Sequence, residues 1–299
     1  MSIRTTLVVL VTVLVSLYSG HISAQTECKK MPNFVQKMGY DPNRVAFSTS
    51  EKHIMGIVLI ELNPQTGQRN KQYQHSSWKE AGYMSGIAID ENGNVYAVPA
   101  PTVNILYNKP EDQNYIYKMD ANTGEMSRFV ELPATAEPSN HNPYGTLGIY
   151  YDCDTHHLFV TSILGSTQTA EKGRIFAVDV QTKKVSVVVD KVDAMGIGMA
   201  QVEGTRWLVY GKTRESAIFG MPLDRNNQAT ASPTMLINLD NMGPRGDDHA
   251  RKIRYTQGAL QVNATSFYYN LTAPTEKPET IYIYMYDATQ KQWRLVRYE

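Results

Sequence analysis

The chain is poor in the residues that usually announce a chemistry. It has only two cysteines, Cys28 and Cys153, so a single pairing is the one disulfide open to it in an oxidising compartment. Basic and acidic residues number 29 each. That balance lacks the electrostatic footprint of a nucleic-acid binder, and no polybasic run points to a membrane surface. Beyond the first two dozen residues no apolar run is long enough to span a bilayer, which takes about 20 residues. No Gly-x-Ser-x-Gly elbow is present, so the commonest mark of a serine hydrolase is missing. Tryptophan is scarce at 3 residues while tyrosine reaches 19, a composition that suits strands.

What is present begins with a targeting signal. Arg4 supplies a short positive region, Leu7 to Leu17 is apolar apart from Thr12 and Ser16, and Ile22-Ser23-Ala24 resembles a cleavage site. Residues 1–24 therefore read as a signal peptide and 25–299 as one domain of a secreted or periplasmic protein. Gln25-Thr26-Glu27 lacks the small and aliphatic residues of a lipobox, so Cys28 does not read as a lipidation site. Asn263-Ala264-Thr265 and Asn270-Leu271-Thr272 match the N-glycosylation pattern, although ordinary turn asparagines explain them as well.

The informative feature is a double repeat. An apolar strand closing on a polar corner runs from Val58 to Gly67 and returns from Ile116 to Gly124 and from Ile175 to Lys183. Weaker copies span Ile218 to Asp224 and Ile281 to Asp287, so the corners fall at Asn63, Asp120, Asp179, Asp224 and Asp287. A hairpin precedes each corner. Gly86 to Val98, with Asn92-Gly93 at its turn, is the clearest; Gly148 to Val160, Gly196 to Val209 and Gly258 to Tyr269 follow it. Phe34 to Phe47 fits the same template as the first hairpin. Two hairpins per unit make a four-stranded antiparallel blade, and the spacing predicts an all-β propeller of five blades, or six if one is degenerate.

At this level the chain resembles the secreted and periplasmic propellers of the SMP-30/gluconolactonase-like and NHL-like group. The resemblance covers nearly all of residues 25–299 and rests on the blade pattern. It implies a ligand site at the mouth of the central channel and, for the lactonases, a divalent metal held there by a Glu, two Asn and an Asp. The matching positions offer Ser85, Thr146, Asp193 and Gln257, a poor cage for calcium, which wants several charged oxygens. No cofactor is required by the sequence. Nor do the expected inner strands supply the facing carboxylate pair of a five-bladed glycosidase.

The long connections gather on one face of the expected ring, which makes that face the candidate site. Its densest loop, Asn241 to Arg254, carries Arg245, Arg251 and Arg254 as clamps for a carboxylate or phosphate, with Asp247 and Asp248 beside them. The plainer reading, a loop stapled by its own Arg–Asp pairs, weighs slightly more. His141 and Tyr144 enter the third blade at this face, Trp78 and Tyr83 offer a stacking wall, and Asp193 is a rim polar group. A solvated histidine and a tryptophan capping the second blade are the plainer readings there. The leading function is binding of a small polar molecule or carbohydrate; a lactonase-like hydrolase and a protein-interaction scaffold are the alternatives.

Cys28 is expected on the long-loop side and Cys153 in a turn on the opposite face. Their pairing therefore requires the tail to fold back beneath the ring.

Overall fold

The computed structural model describes residues 28–49, 55–99, 106–134, 136–137, 142–269 and 279–299. The expected signal segment, His141 and Asn270 to Thr272 lie outside them. The chain forms a five-bladed β-propeller in which every sheet is antiparallel and built from consecutive strands. Blade 1 holds β1 (Val45–Ser48), β2 (Val58–Leu62) and β3 (Arg69–Tyr73). Blade 2 holds β4 (Met84–Ile89), β5 (Val95–Pro99), β6 (Tyr115–Met119) and β7 (Met126–Glu131). Blade 3 holds β8 (Thr146–Asp152), β9 (His157–Ser162), β10 (Arg174–Asp179) and β11 (Val185–Asp190). Blade 4 holds β12 (Ala194–Val202), β13 (Thr205–Lys212), β14 (Ala217–Leu223) and β15 (Thr234–Asn238). Blade 5 holds β16 (His249–Thr256), β17 (Ala259–Thr265), β18 (Thr280–Asp287) and β19 (Gln292–Tyr298).

The corner repeat has a common physical basis. At Asn63, Asp120, Asp179 and Asp287 the side-chain oxygen accepts the backbone N–H groups two and three residues on; Asp224 takes those two and four residues on. Such local bonding is why Asp and Asn recur at these turns. The same N–H groups hold the carboxyls of Asp120, Asp179 and Asp287 below the usual aspartate range.

Neighbouring blades join through four apolar clusters. Leu59, Trp78 and Met119 belong to the one between blades 1 and 2, Tyr96 and Val160 to that between blades 2 and 3. Phe159 and Leu208 pack between blades 3 and 4, and Val209, Val262 and Tyr282 between blades 4 and 5. Among the described residues no such cluster joins blade 5 back to blade 1. Nor do the first and last described strands, β1 and β19, share a sheet.

Two local readings differ from the sequence pattern. The expected first strand from Phe34 is instead a short helix, α1 (Asn33–Lys37), stopped at Gly39 with φ +77°. Pro32 precedes it, and Phe34 and Val35 are buried in the core between blades 1 and 2, while Met38 is exposed. Phe34 packs on the blade 2 corner at Gly124 and donates its N–H to Ala121 O. Because β2 and β3 flank the Asn63 corner, the strand that blade 1 lacks among the described residues is the innermost one, and β1 stands next to the channel instead.

In blade 5 the inner strand is not Gly258 to Val262 but His249–Thr256, inside the expected loop. Its sequence, His-Ala-Arg-Lys-Ile-Arg-Tyr-Thr, is too charged to look like a core strand. Phe267 to Tyr269 lie beyond the end of β17.

Cys28 and Cys153 are disulfide-bonded, with their Cα atoms 5.9 Å apart. The tail does run beneath the ring. Lys30 donates its N–H to Asp90 O, and the chain at Pro32 passes against Gly93, in the first turn of blade 2.

Candidate functional site

The inner strands of blades 2 to 5 all open with a β-bulge, between Met84 and Ile87, Thr146 and Ile149, Ala194 and Ile197, and Ala250 and Lys252. In the first three the bulge contains a glycine that touches the next blade. A Cβ on Gly86 would stand 2.9 Å from Ile149, one on Gly148 3.2 Å from Ile197, and one on Gly196 2.6 Å from Ala250 O. Blade 5 has Arg251 there instead. The next blade is blade 1, which among the described residues has no fourth, innermost strand to pack against it, so a long side chain fits.

The space so left is a cavity of about 470 Å³ filling the channel. Ser48 and Thr49 of blade 1, Ser85 of blade 2, Leu147 to Tyr151 of blade 3 and Arg251 to Tyr255 of blade 5 line its wall. At the other end Lys29 and Cys153 reach it beside the disulfide. Gln261 and Asn263 also line it, although they belong to β17, one strand out from the channel. The cavity therefore extends sideways along the face of blade 5 that looks toward blade 1.

That face explains itself in the alternation of β17. Leu260, Val262 and Ala264 are buried against blade 4, so Gln261 and Asn263 must point the other way. The second strands β5 and β9 are buried nearly throughout, and β17 differs from them. On the blade 1 side, Ile57 and Leu59 face blade 2, which turns Val58 and Ile60 toward blade 5 farther out.

Electrostatically the cavity is one-sided. Among the described residues its lining includes Lys29, Arg251, Lys252 and Arg254 and no carboxylate. Glu279 stands beside it, 3.1 Å from Arg251 Nη1 and 3.9 Å from Lys252 Nζ, and accepts a third contact from Asn263 Nδ2 at 3.0 Å. Arg254 is exposed and makes no ion pair or side-chain hydrogen bond among the described residues. Desolvation lowers the pKa of Lys252; Glu279 opposes that shift, and Arg251 and Arg254 add to it.

Of the residues singled out from the sequence, Arg251 and Arg254 reach this cavity. Arg245 and Asp248 meet each other at 2.6 Å; Arg245 also donates to Ala264 O and Thr280, and Asp248 accepts from Tyr282. Asp247 accepts from Ser266. Asp193 is fully buried, accepting from Ser166, Gly173 N, Arg214 and Tyr269, and so ties three blades together. Tyr144 packs on Phe267 in an apolar cluster with Leu147 and Met195. Trp78 is fully buried between blades 1 and 2, its indole N–H donating to Gly124 O at 2.7 Å. Tyr83 is half-buried beside Tyr107. Sequence reasoning passed over Lys29, Lys252, Gln261 and Asn263. The signal available for the last two was the polar alternation in a second strand. Asn263 is a strand residue and not a turn asparagine, and its amide donates to Glu279 beside the cavity.

No protein-family model matches the chain, and no curated protein matches it in sequence. Solved structures match it in fold. Luciferin-regenerating enzyme is 10% identical with a TM-score of 0.51, over 81% of this chain and 68% of that one. An exo-β-1,3-galactanase from Phanerochaete chrysosporium, solved with galactose, is 7% identical with a TM-score of 0.53; the match covers 84% of this chain and 60% of the galactanase. A chain of a nidogen/laminin complex is 12% identical over 85% of this chain and 92% of its own, with a TM-score of 0.46. The class that fold and cavity define is a five-bladed β-propeller with a polar channel.

Proposed function

We propose that this protein is an exported propeller that binds a small polar molecule of the carbohydrate class in its channel. The observation that carries the reading is the cavity. At about 470 Å³ it has the size of small-molecule pockets generally, roughly 300–1,000 Å³. It brings together amides from Gln261 and Asn263, hydroxyls from Ser48, Thr49 and Ser85, and guanidinium groups. Directional donors and acceptors set against apolar Ile149 and Ile197 suit a hydroxylated ring. The fold likeness to a galactanase solved with galactose is compatible with a sugar ligand. The Cys28–Cys153 disulfide is compatible with an oxidising compartment outside the cytosol.

A lactonase-like hydrolase of the SMP-30 type gains little from this geometry. Among the described residues the lining holds no carboxylate to bind calcium or act as a base, and no three His, Cys, Asp or Glu side chains gather as a metal cage.

Titration calorimetry of the protein against a panel of mono- and disaccharides tests the reading, with Asn263→Leu and Gln261→Leu as controls. A saccharide that binds wild type and is weakened about tenfold by either change supports it. Binding untouched by both changes, or no binding at millimolar ligand, overturns it.

A further inference from the structure

The lining carries a charge asymmetry that a neutral sugar would not use. Arg251, Lys252 and Arg254 lie within four consecutive residues of β16, and Lys29 reaches the same cavity from the tail. Against the three cations of β16 stands Glu279, shared among Arg251, Lys252 and Asn263. The walls between set apolar Phe47, Ile87, Ile149 and Ile197 beside the hydroxyls of Ser48, Thr49 and Ser85. A concave site with apolar walls and one sign of charge concentrates its potential and recruits the opposite sign.

The placement of the cations adds direction. Arg251 replaces the glycine found at the equivalent bulge of three other blades, and Arg254 is left without a partner among the described residues. A guanidinium presents a planar fork of donors suited to an oxyanion. Gln261 and Asn263 lie beside these cations on the same face of blade 5, at the height where they can read hydroxyls.

We propose that the ligand is an anionic sugar or sugar derivative, whose carboxylate, sulfate or phosphate is held by Arg254 and Arg251 while its ring lies on Gln261 and Asn263. The proposal rests on the carbohydrate-binding reading above and narrows it.

The test compares matched ligands by calorimetry: galactose with galacturonate, galactose 6-sulfate and galactose 6-phosphate, and glucose with glucuronate. Each is run at low and at 0.5 M salt, at about that ionic strength to screen exposed charge. Wild type, Arg254→Gln and Arg254→Lys are compared, since Arg254 makes no ion pair or side-chain hydrogen bond among the described residues. The expected result is an acid bound about tenfold or more tightly than its neutral parent, weakened by salt, lost in Arg254→Gln and partly kept in Arg254→Lys. Which acid binds best identifies the oxyanion. Equal affinity for acid and neutral parent overturns the anionic preference and leaves the carbohydrate reading standing. Binding of neither overturns both. An acid bound equally by wild type and Arg254→Gln also overturns the proposal, because its anion then docks elsewhere.

Discussion

A Cβ placed on Gly196 would stand 2.6 Å from the carbonyl oxygen of Ala250 in the next blade. The inner strands of blades 4 and 5 are thus as close as backbone allows, and the obstructing atom cannot swing away like a side-chain tip. Gly196→Ala should destabilise the protein by about 1–3 kcal/mol through overpacking. Urea unfolding of the variant checks this, and an unchanged midpoint would count against so tight a contact. Gly204, with nothing within 4 Å of its Cβ position but φ +78°, is the control for backbone strain alone.

Arg206 and Asp152 form a buried ion pair at 2.7 Å, linking blade 4 to blade 3. The Asp152 side chain is fully buried and that of Arg206 nearly so; Arg206 also donates to Asn227 and Asp224 O, and Asp152 accepts from Thr155. Removing one partner leaves the other charge buried and uncompensated. Arg206→Met should therefore cost about 3–5 kcal/mol, while the double change Arg206→Met with Asp152→Leu should cost less. A double-mutant cycle in denaturant reads both.

The Cys28–Cys153 bond spans 125 residues of sequence. Replacing both cysteines with serine should lower stability by about 2–5 kcal/mol, measured by urea unfolding. Intact mass with and without reductant gives the pairing directly. Because Lys29 lies beside Cys28 and against the cavity, the same variant should bind an anionic ligand more weakly if the tail leaves its place.

Stability should also respond to mild acid through His249. Desolvation lowers its pKa from the ordinary 6.5, and the backbone contact with Asp247 and the charges of Asp247, Asp248 and Asp240 only partly restore it. The native state then holds fewer protons than the unfolded chain between the folded pKa and 6.5. Stability should fall as pH drops through that window and level off once both states are protonated. Thermal melts of wild type and His249→Asn between pH 7.5 and 5, spanning roughly the histidine range, should show a flatter profile in the variant.

The blades were legible because their corners are local. An Asp or Asn that binds the next two or three N–H groups leaves the same mark wherever it recurs, and five such marks in order specify five hairpins. The helix at Asn33–Lys37 escaped because five residues are too few for periodicity to separate it from a strand. Strand β16 escaped because its charges face a cavity rather than solvent or core. That cavity depends on a strand absent from blade 1, two hundred residues earlier in the chain by about that measure, and no local pattern at Arg251 can report it. Arg251 and Arg254 were found by residue type and misplaced on a loop. Arg245 and Asp248 looked the same by type but satisfy each other.

Each of the five sheets comes from one uninterrupted stretch of chain. Strand pairing therefore never waits for a distant segment, and a blade can complete as soon as its own residues have left the ribosome. The steps that need the whole chain are the meeting of the last blade with the first and, over a shorter span, the bond from Cys28 to blade 3. Local pairings lower the entropic barrier to folding, and domains form from the N-terminus during synthesis. The binding cavity, framed by the first and last blades, is accordingly the final part of the molecule to be assembled, and only a full-length chain can possess it.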